Sequence, residues 1–258
     1  MIQSVERAAR ILEVLGSGGS RLGVTELSAQ LGLAKATVYG LLRALELHGL
    51  VEQDLETGKY RLGPALLQLG NAYLDNHELR ARSMRWAESL AGQTQEGVRV
   101  GVLAAPNVLV VHHVFRPDNS VQILEVGAAI PWHACALGKA IAAHVEADRL
   151  ATLLQAPLPR LTGHTITVKR SLEADLKRTR TAGAAVDDQE AIVGEAGIAA
   201  AVFDHRGQPV GAIGVTGAVE RLLPSGPDRD MVTAVKEAAR GLSRELGAGR
   251  LASAIRAD

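Results

Sequence analysis

Hydrogen-bonding and basic side chains share one face of the segment 34–48 with two residues that have little or no side chain. The set is Lys35, Ala36, Thr37, Tyr39, Gly40 and Arg43. Ammonium, guanidinium and hydroxyl groups are the donors that proteins direct at the phosphates and base edges of DNA. A glycine inside a helix costs about 1 kcal/mol relative to alanine, which is tolerable where the backbone must come close to another surface. The pattern therefore predicts a helix that presses against DNA.

The segment 24–51 contains the apolar residues that would turn this face outward. Leu27 and Leu31 lie on one side of a short first helix, for which Thr25 is the predicted N-cap and a further candidate DNA contact. Gly32 ends that helix, and the second helix has an apolar face of Val38, Leu41, Leu42 and Leu45. Two such helices around a tight turn form a helix-turn-helix, whose second helix enters the major groove. The alternative is a helical hairpin packed inside a larger domain.

Two flanking elements extend this pair into a winged helix. The run SVERAARILEVL before it has an amphipathic helical pattern, and LVEQDLETGKYRLG after it predicts a β-hairpin around Glu56-Thr57-Gly58. Lys59 and Arg61 lie on the same face of the hairpin, where a wing beside a recognition helix contacts phosphates. We therefore expect both side chains to bind double-stranded DNA together with the second helix.

Composition bounds the class of protein. The chain has 258 residues, 47% of them hydrophobic and 3% aromatic, which predicts a globular protein with a mostly aliphatic core. Its formal net charge is zero, and residues 1–63 carry seven basic and seven acidic side chains, so DNA affinity per subunit should be modest. A single cysteine excludes an internal disulfide and fits a reducing compartment. No apolar run is long enough to span a membrane, and we expect a cytoplasmic protein without a signal peptide or a membrane partner.

The remainder of the chain predicts a connector and a second domain. Residues 64–93 are helical with a predicted break at Asp75-Asn76, and we expect this helix to pair subunits, because a palindromic operator needs two recognition helices about 34 Å apart. Strand patterns occupy 98–104, 107–115, 120–127, 184–186, 197–203 and 210–215, and helical patterns occupy 136–145, 170–182 and 227–246. Strands with helices at their ends predict an α+β domain built on an antiparallel sheet.

Cys135 and three histidines are the other residues that could do chemistry. With His112, His113 and His133, the cysteine could form a thiol-enzyme centre or a zinc site. A catalytic cysteine needs a positioned base and an orienting third group, and structural zinc motifs use a paired ligand spacing that the chain lacks. We therefore expect Cys135 to be a small buried residue, and we predict no enzymatic activity, no metal and no cofactor.

The chain resembles the IclR family of bacterial transcriptional regulators over nearly its whole length. The resemblance rests on SVERAARILEVL, LGLAKATVYGLLRAL, HGLVEQDLETGKYRLGPALLQLG, HACALGKA, AVDDQEAIVGEAGIAAAVFD and AIGVTG, in that order. Within the family, LGNAYLDNHELRARSM, VLVVHHVFRPDNS and GVTGAVERL are most similar to glycerol-operon regulators. The resemblance implies a winged helix-turn-helix domain over residues 1–63, a linker helix over 64–78 and a GAF-like effector-binding domain over 79–251. It also implies a homodimer or homotetramer on DNA.

The resemblance further implies an effector pocket with two groups of wall residues. One side corresponds to the loop HACALGKA, with His133, Cys135, Ala136, Leu137 and Gly138, and the other walls correspond to Asp187, Glu195, Gly197, Gly214 and Thr216. Relatives often have Cys where Gly197 stands and Ser where Gly214 stands, so the pocket should be roomier at both positions. Such walls suit a small polar metabolite such as glycerol or glycerol 3-phosphate. Lys139 or the backbone at Leu137-Gly138 would meet a phosphate.

These expectations combine into one function. We expect a DNA-binding transcriptional regulator, a repressor of a small catabolic operon, that a metabolite bound in the C-terminal domain controls. Many relatives have Ser where Ala36 stands and Arg where Gly40 stands, so the operator should differ from theirs. The alternative is a metabolite-sensing or enzymatic domain whose winged helix makes protein contacts.

Overall fold

The computed structural model describes residues 2–17, 21–118 and 120–249. The chain folds into two compact units, one ending at Asn76 and the other beginning at His77. None of the helices in the described ranges combines the length and the hydropathy that a bilayer span requires. The predicted end of the second domain at residue 251 lies outside the described residues.

The N-terminal unit is a winged helix with a further helix at its end. α1 spans Gln3–Ser17, α2 Val24–Leu31, α3 Lys35–Leu47, β1 Val51–Gln53, β2 Tyr60–Leu62 and α4 Ala65–Asp75. One aliphatic core joins α1, α2, α3 and the hairpin, and its fully buried members include Ile11, Leu27, Val38, Leu42 and Tyr60. The predicted winged helix-turn-helix is confirmed.

Helix α2 begins earlier than the sequence predicts. Gly23 is its N-cap in an extended conformation, and the Gly23 N–H donates to Oε2 of Glu26 at 2.6 Å. Glu26 is therefore the third helical residue, and its carboxylate closes back on the start of the helix as in a capping box. The prediction of Thr25 as the N-cap is wrong, and Thr25 lies exposed in the first turn.

The C-terminal unit is an α+β fold on one six-stranded antiparallel sheet. Its strands are β3 Gly97–Ala104, β4 Asn107–Val114, β5 Ala129–Pro131, β6 Ala185–Asp188, β7 Glu195–Phe203 and β8 Pro209–Ala218, in the order β5-β4-β3-β8-β7-β6. Its helices are α5 Glu78–Thr94, α6 Ala136–Ala142, α7 Ala147–Gln155, α8 Lys169–Ala182, α9 Val219–Leu222 and α10 Arg229–Glu245. α5 and α10 pack on one face of the sheet, and α6 with α8 packs on the other.

After the winged helix, one predicted break is confirmed, one predicted strand is wrong, and one helix is not predicted. The helical segment breaks between Asp75 and Glu78, close to the predicted position. The predicted strand at 120–127 is wrong, because β4 pairs with Ala129–Pro131, and from the described segment 120–127 only the Gly127 N–H donates to the backbone of β4, at Val110 O. Its side chains Val121 and Ile123 are exposed. Helix α7 falls in a stretch for which the sequence patterns predict no element.

Candidate functional site

The outer face of α3 is open. Buried residues on the inner face include Val38, Leu42 and Leu45, whereas Thr37 is half-buried and the exposed residues are Lys35, Ala36, Tyr39, Gly40 and Arg43. A Cβ atom built on Gly40 would meet no heavy atom within 4 Å. The apolar spacing therefore holds the hydrogen-bonding face outward, and this face is not packed into the core of its own unit.

The start of α3 presents backbone donors. Its N-cap residue Ala34 is extended and makes no side-chain cap hydrogen bond. The first N–H groups of a helix lack carbonyl partners inside the helix, and together with the helix dipole they attract phosphate oxygens. Lys35 stands exposed at the first helical position and adds a positive charge there. This end of α3 can therefore bind an anion.

The other cations that the sequence predicts as DNA contacts, on α3 and on the hairpin, are held in ion pairs. Arg43 Nη1 lies 2.9 Å from Glu46 Oε2, Lys59 Nζ lies 3.3 Å from Glu26 Oε1, and Arg61 pairs with Glu52. All three pairs lie at the surface, where such a pair contributes about 0–1 kcal/mol. A phosphate can therefore replace the carboxylate at small cost.

A cleft of about 490 Å³ opens in the C-terminal unit beside β3, β7 and β8. Its central cation is Arg99, whose Nη2 lies 2.7 Å from Glu125 Oε1 and whose Nη1 lies 2.8 Å from Glu195 Oε1. Arg99 Nε pairs with the second oxygen of Glu125. The Thr216 hydroxyl donates to the same Glu195 oxygen at 2.8 Å. The sheet register explains the cluster, because Thr216 on β8 lies opposite Gly97 on β3 and Gly197 on β7. Arg99 and Glu195 are each two residues away from these glycines and therefore share the face of Thr216.

A smaller cavity of about 20 Å³ adjoins this cleft and shares Arg99 and Thr216 with it. It has room for roughly one water molecule. The structure brings most of the predicted effector residues around it, namely Cys135, Ala136, Leu137, Asp187, Gly197, Gly214 and Thr216. Glu195 lines the cleft itself. A polyol is larger than the inner cavity, so it would lie in the cleft or widen the cavity.

Two predicted effector residues of the loop lie away from both cavities. His133 is buried, and its Nε2 lies 3.0 Å from the carbonyl oxygen of Pro159. Burial lowers the pKa of His133, which favours the neutral ring that this contact can satisfy. Gly138 packs on backbone, because a Cβ there would lie 2.6 Å from the Trp132 carbonyl carbon. Both residues therefore fix the turn before α6 and the first turn of α6, without reaching the cavities.

Lys139 is not available to a ligand. It is 1% exposed and pairs with Glu190 and, at 3.1 Å, with Asp175. The expected phosphate contact is wrong at this residue, because two carboxylates already bind its ammonium group in the core. The sequence patterns do not identify Arg99 as a residue of the cleft. The signal in the sequence is that Arg99 is the one charged residue in the otherwise apolar strand pattern at 98–104.

The two glycines of the pocket wall differ in the space beside them. A Cβ on Gly197 would make ordinary contacts, the nearest at 3.4 Å from Ala136 Cβ. A Cβ on Gly214 would lie 2.6 Å from Ala199 Cβ, closer than side chains approach one another. The expectation of extra room is therefore wrong at Gly214, where the paired strands β7 and β8 fill the space.

Burial changes the acidity of two wall residues. It raises the pKa of the Asp187 carboxyl to about 7 and the pKa of the Cys135 thiol to about 12. Asp187 Oδ1 accepts from the Glu190 N–H at 2.8 Å, and Cys135 Sγ accepts from the Gly138 N–H at 3.4 Å. Cys135 is therefore a buried, protonated thiol and not a nucleophile.

Among the described residues, no group of three or more His, Cys, Asp or Glu side chains could hold a metal ion.

Known protein families and individual proteins match the chain over nearly its whole length. The family described as "Bacterial transcriptional regulator IclR C-terminal" matches residues 71–244, and the "IclR helix-turn-helix domain" matches residues 4–55. Glycerol operon regulatory proteins of Streptomyces griseus and Streptomyces coelicolor are each 49% identical to the chain over 250 residues, covering 96% of it and 98% of those proteins. Both matched domains belong to transcriptional regulators, not enzymes.

Solved structures share the fold. An IclR family transcriptional regulator from Brucella abortus has a TM-score of 0.82 at 20% identity, covering 95% of this chain and 92% of that one. An IclR homolog from Microbacterium hydrocarbonoxydans, complexed with 4-hydroxybenzoate, has a TM-score of 0.76 at 22% identity, covering 95% and 99%. At these identities the likeness concerns the fold alone.

Proposed function

The chain belongs to the IclR family of bacterial transcriptional regulators, and we propose that it represses a small catabolic operon for glycerol in the cytoplasm. Its 49% identity to glycerol operon regulatory proteins, over 96% of the chain, supports this choice of operon. DNA binding is proposed on one observation, the open outer face of α3. The N-terminus of this helix has no side-chain cap, and Gly40 leaves its middle without a side chain.

In this proposal, two copies of α3 enter successive major grooves about 34 Å apart. Tyr39 and Arg43 reach base edges or phosphates, and Gly40 allows the helix backbone to approach the groove. Lys59 and Arg61 exchange their carboxylate partners for phosphates of double-stranded DNA. Because residues 1–63 carry no net charge, one copy binds weakly and the operator requires two.

A second copy of the chain would supply the partner, giving a homodimer or a homotetramer. No residue of α4 is buried, and its side chains Leu67, Leu69 and Tyr73 are exposed. Exposed apolar side chains on one helix favour an interface. Because α4 follows the hairpin directly, its pairing would set the spacing of the two α3 helices.

The effector in this proposal is a small polar metabolite such as glycerol or glycerol 3-phosphate. Glu195 and Thr216 line the cleft, and Asp187 lines the smaller cavity that adjoins it, so hydroxyl groups of a polyol that widened the cavity would meet several hydrogen-bonding partners. Binding would shift the balance between subunit arrangements that fit the operator and arrangements that do not.

Selection of DNA from a random pool by the full chain, with and without glycerol or glycerol 3-phosphate, tests the proposal. We expect a palindromic site whose recovery falls in the presence of one ligand. Arg43→Ala should weaken binding to that site at fixed salt by about 1–3 kcal/mol. Unchanged affinity would refute the assignment of α3 as the recognition helix, and a pool without sequence enrichment would contradict operator binding itself.

A further inference from the structure

Arg99 is held in the cleft by a carboxylate that has the geometry of a ligand. Both oxygens of Glu125 contact its guanidinium, one through Nε and the other through Nη2 at 2.7 Å. A guanidinium binds carboxylates and phosphates in this two-point manner. The Arg99 side chain is 14% exposed and that of Glu125 is 29% exposed, so the guanidinium lies largely out of solvent and the carboxylate is half-buried. Glu125 therefore occupies the position that an anionic group of a ligand would take.

Glu125 is the more easily displaced of the two carboxylates on Arg99. It lies in a segment without regular structure before β5, and the side chains of Ile123 and Leu124 beside it are exposed. Glu195 is the first residue of β7, is paired in register with β8, and also accepts the Thr216 hydroxyl. Strand pairing holds Glu195 in place, whereas outside the strands the Glu125 backbone makes two isolated contacts, from its N–H to His113 Nδ1 at 3.3 Å and from the Ala128 N–H to its carbonyl oxygen at 2.8 Å. Fewer hydrogen bonds therefore oppose the movement of Glu125 than that of Glu195.

The charges that line the cleft show what this displacement changes. Three carboxylates face three guanidinium groups, those of Glu96, Glu125 and Glu195 against those of Arg99, Arg116 and Arg221. With Glu125 in place the three negative and three positive charges cancel, and without it the lining carries one net positive charge. Without Glu125, Arg99 keeps only the Glu195 contact, and a neutral polyol cannot replace the lost negative charge, whereas a carboxylate or a phosphate can.

We propose that Glu125 is an internal substitute for the anionic group of the effector, and that a small hydroxylated anion displaces it from Arg99. This inference rests on the proposed role of the cleft as the effector site. Glu195 and Thr216 stay in place and bind the hydroxyl groups of the ligand. The released segment carries Ile123 and Leu124 with it, so the charge of the ligand changes the surface of the unit.

Isothermal titration of the full chain with glycerol, glycerate and glycerol 3-phosphate, at one ionic strength, tests this exchange. For the wild type we expect both anions to bind roughly tenfold or more tightly than glycerol. Glu125→Gln keeps the shape of the side chain but removes the competing charge. It should tighten the binding of both anions roughly tenfold and change glycerol binding less than about twofold. The control Glu173→Gln removes an equal charge from the exposed surface of α8 and should leave all three affinities unchanged.

A second variant addresses the cation. Arg99→Lys keeps the charge but cannot make the two-point contact, so it should weaken the binding of both anions. Circular dichroism verifies that this variant is folded. Equal affinities for glycerol and the anions in the wild type, or weaker anion binding by Glu125→Gln, would overturn the exchange while leaving a polyol site in the cleft. Absence of binding for all three probes would overturn the proposed effector together with the exchange.

Discussion

Gly40→Ala should change protein stability and DNA affinity in opposite directions. α3 is helical on both sides of Gly40, and a Cβ there would meet nothing within 4 Å. Alanine should therefore stabilise the helix by about 0.8–1 kcal/mol. For a unit of this size, that raises the melting temperature by roughly 4–8 °C. Against a DNA groove the same methyl group is excess volume, which costs about 1–3 kcal/mol, or roughly 5- to 150-fold in affinity.

Scanning calorimetry gives the melting temperature, and fluorescence anisotropy on the selected operator at one salt concentration gives the affinity. Gly92→Ala is the matched control, because Gly92 also lies in a helix, α5, where a Cβ would meet nothing within 4 Å. This control should not weaken operator binding. Unchanged operator affinity in Gly40→Ala would refute the close approach of α3 to DNA, and a lower melting temperature would refute the openness of its outer face.

Three further predictions concern the pocket wall and α4. Burial raises the pKa of Asp187 from 3.8 to about 7, so between these values the folded chain retains a proton that the unfolded chain releases, and wild-type stability falls as pH rises. Asp187→Asn keeps an acceptor for the Glu190 N–H and cannot ionise. Its free energy of unfolding in urea should therefore exceed that of the wild type by a difference that grows between pH 5 and pH 8 toward at most about 4 kcal/mol. The same difference at both pH values would contradict this. Gly214→Ala should lower the free energy of unfolding, measured in urea, by about 1–3 kcal/mol, whereas Gly197→Ala should change it little. Similar losses of stability in the two variants would refute the difference in packing. Leu67→Glu should favour monomers in sedimentation equilibrium, and an unchanged oligomer would exclude α4 as the pairing surface.

Local spacing is enough to predict which way α3 faces. Val38, Leu42 and Leu45 recur at helical intervals and are all buried, because their burial depends only on neighbours within two short helices and a hairpin. The start of α2 is harder to predict. Thr25 is a good cap by residue type, and the structure instead uses the Glu26 carboxylate on the Gly23 N–H.

Contacts between residues distant along the chain are what the sequence patterns do not predict. Lys139 follows a glycine in a loop that suggests a phosphate contact, but Glu190, 51 residues later, binds its ammonium group. The run 120–127 has a strand pattern, but β4 pairs with Ala129–Pro131. Gly214 suggests space, but Ala199 on the neighbouring strand fills it. In each case a partner that local periodicity does not identify decides the outcome.

In both units, carboxylates pair with cations to which we assign a ligand contact, and the burial of each pair determines the consequence that we propose for its exchange. Lys59–Glu26 and Arg61–Glu52 lie at the surface, where an ion pair contributes about 0–1 kcal/mol. DNA phosphates can therefore replace these carboxylates, and the release of counterions from the DNA favours the exchange whatever the base sequence. Arg99 is 14% exposed, and an unpaired charge costs far more where solvent is largely excluded. The same exchange therefore adds general DNA affinity at the wing, and it separates charged from neutral ligands in the cleft. In this proposal, the outer face of α3 supplies the sequence selectivity on DNA.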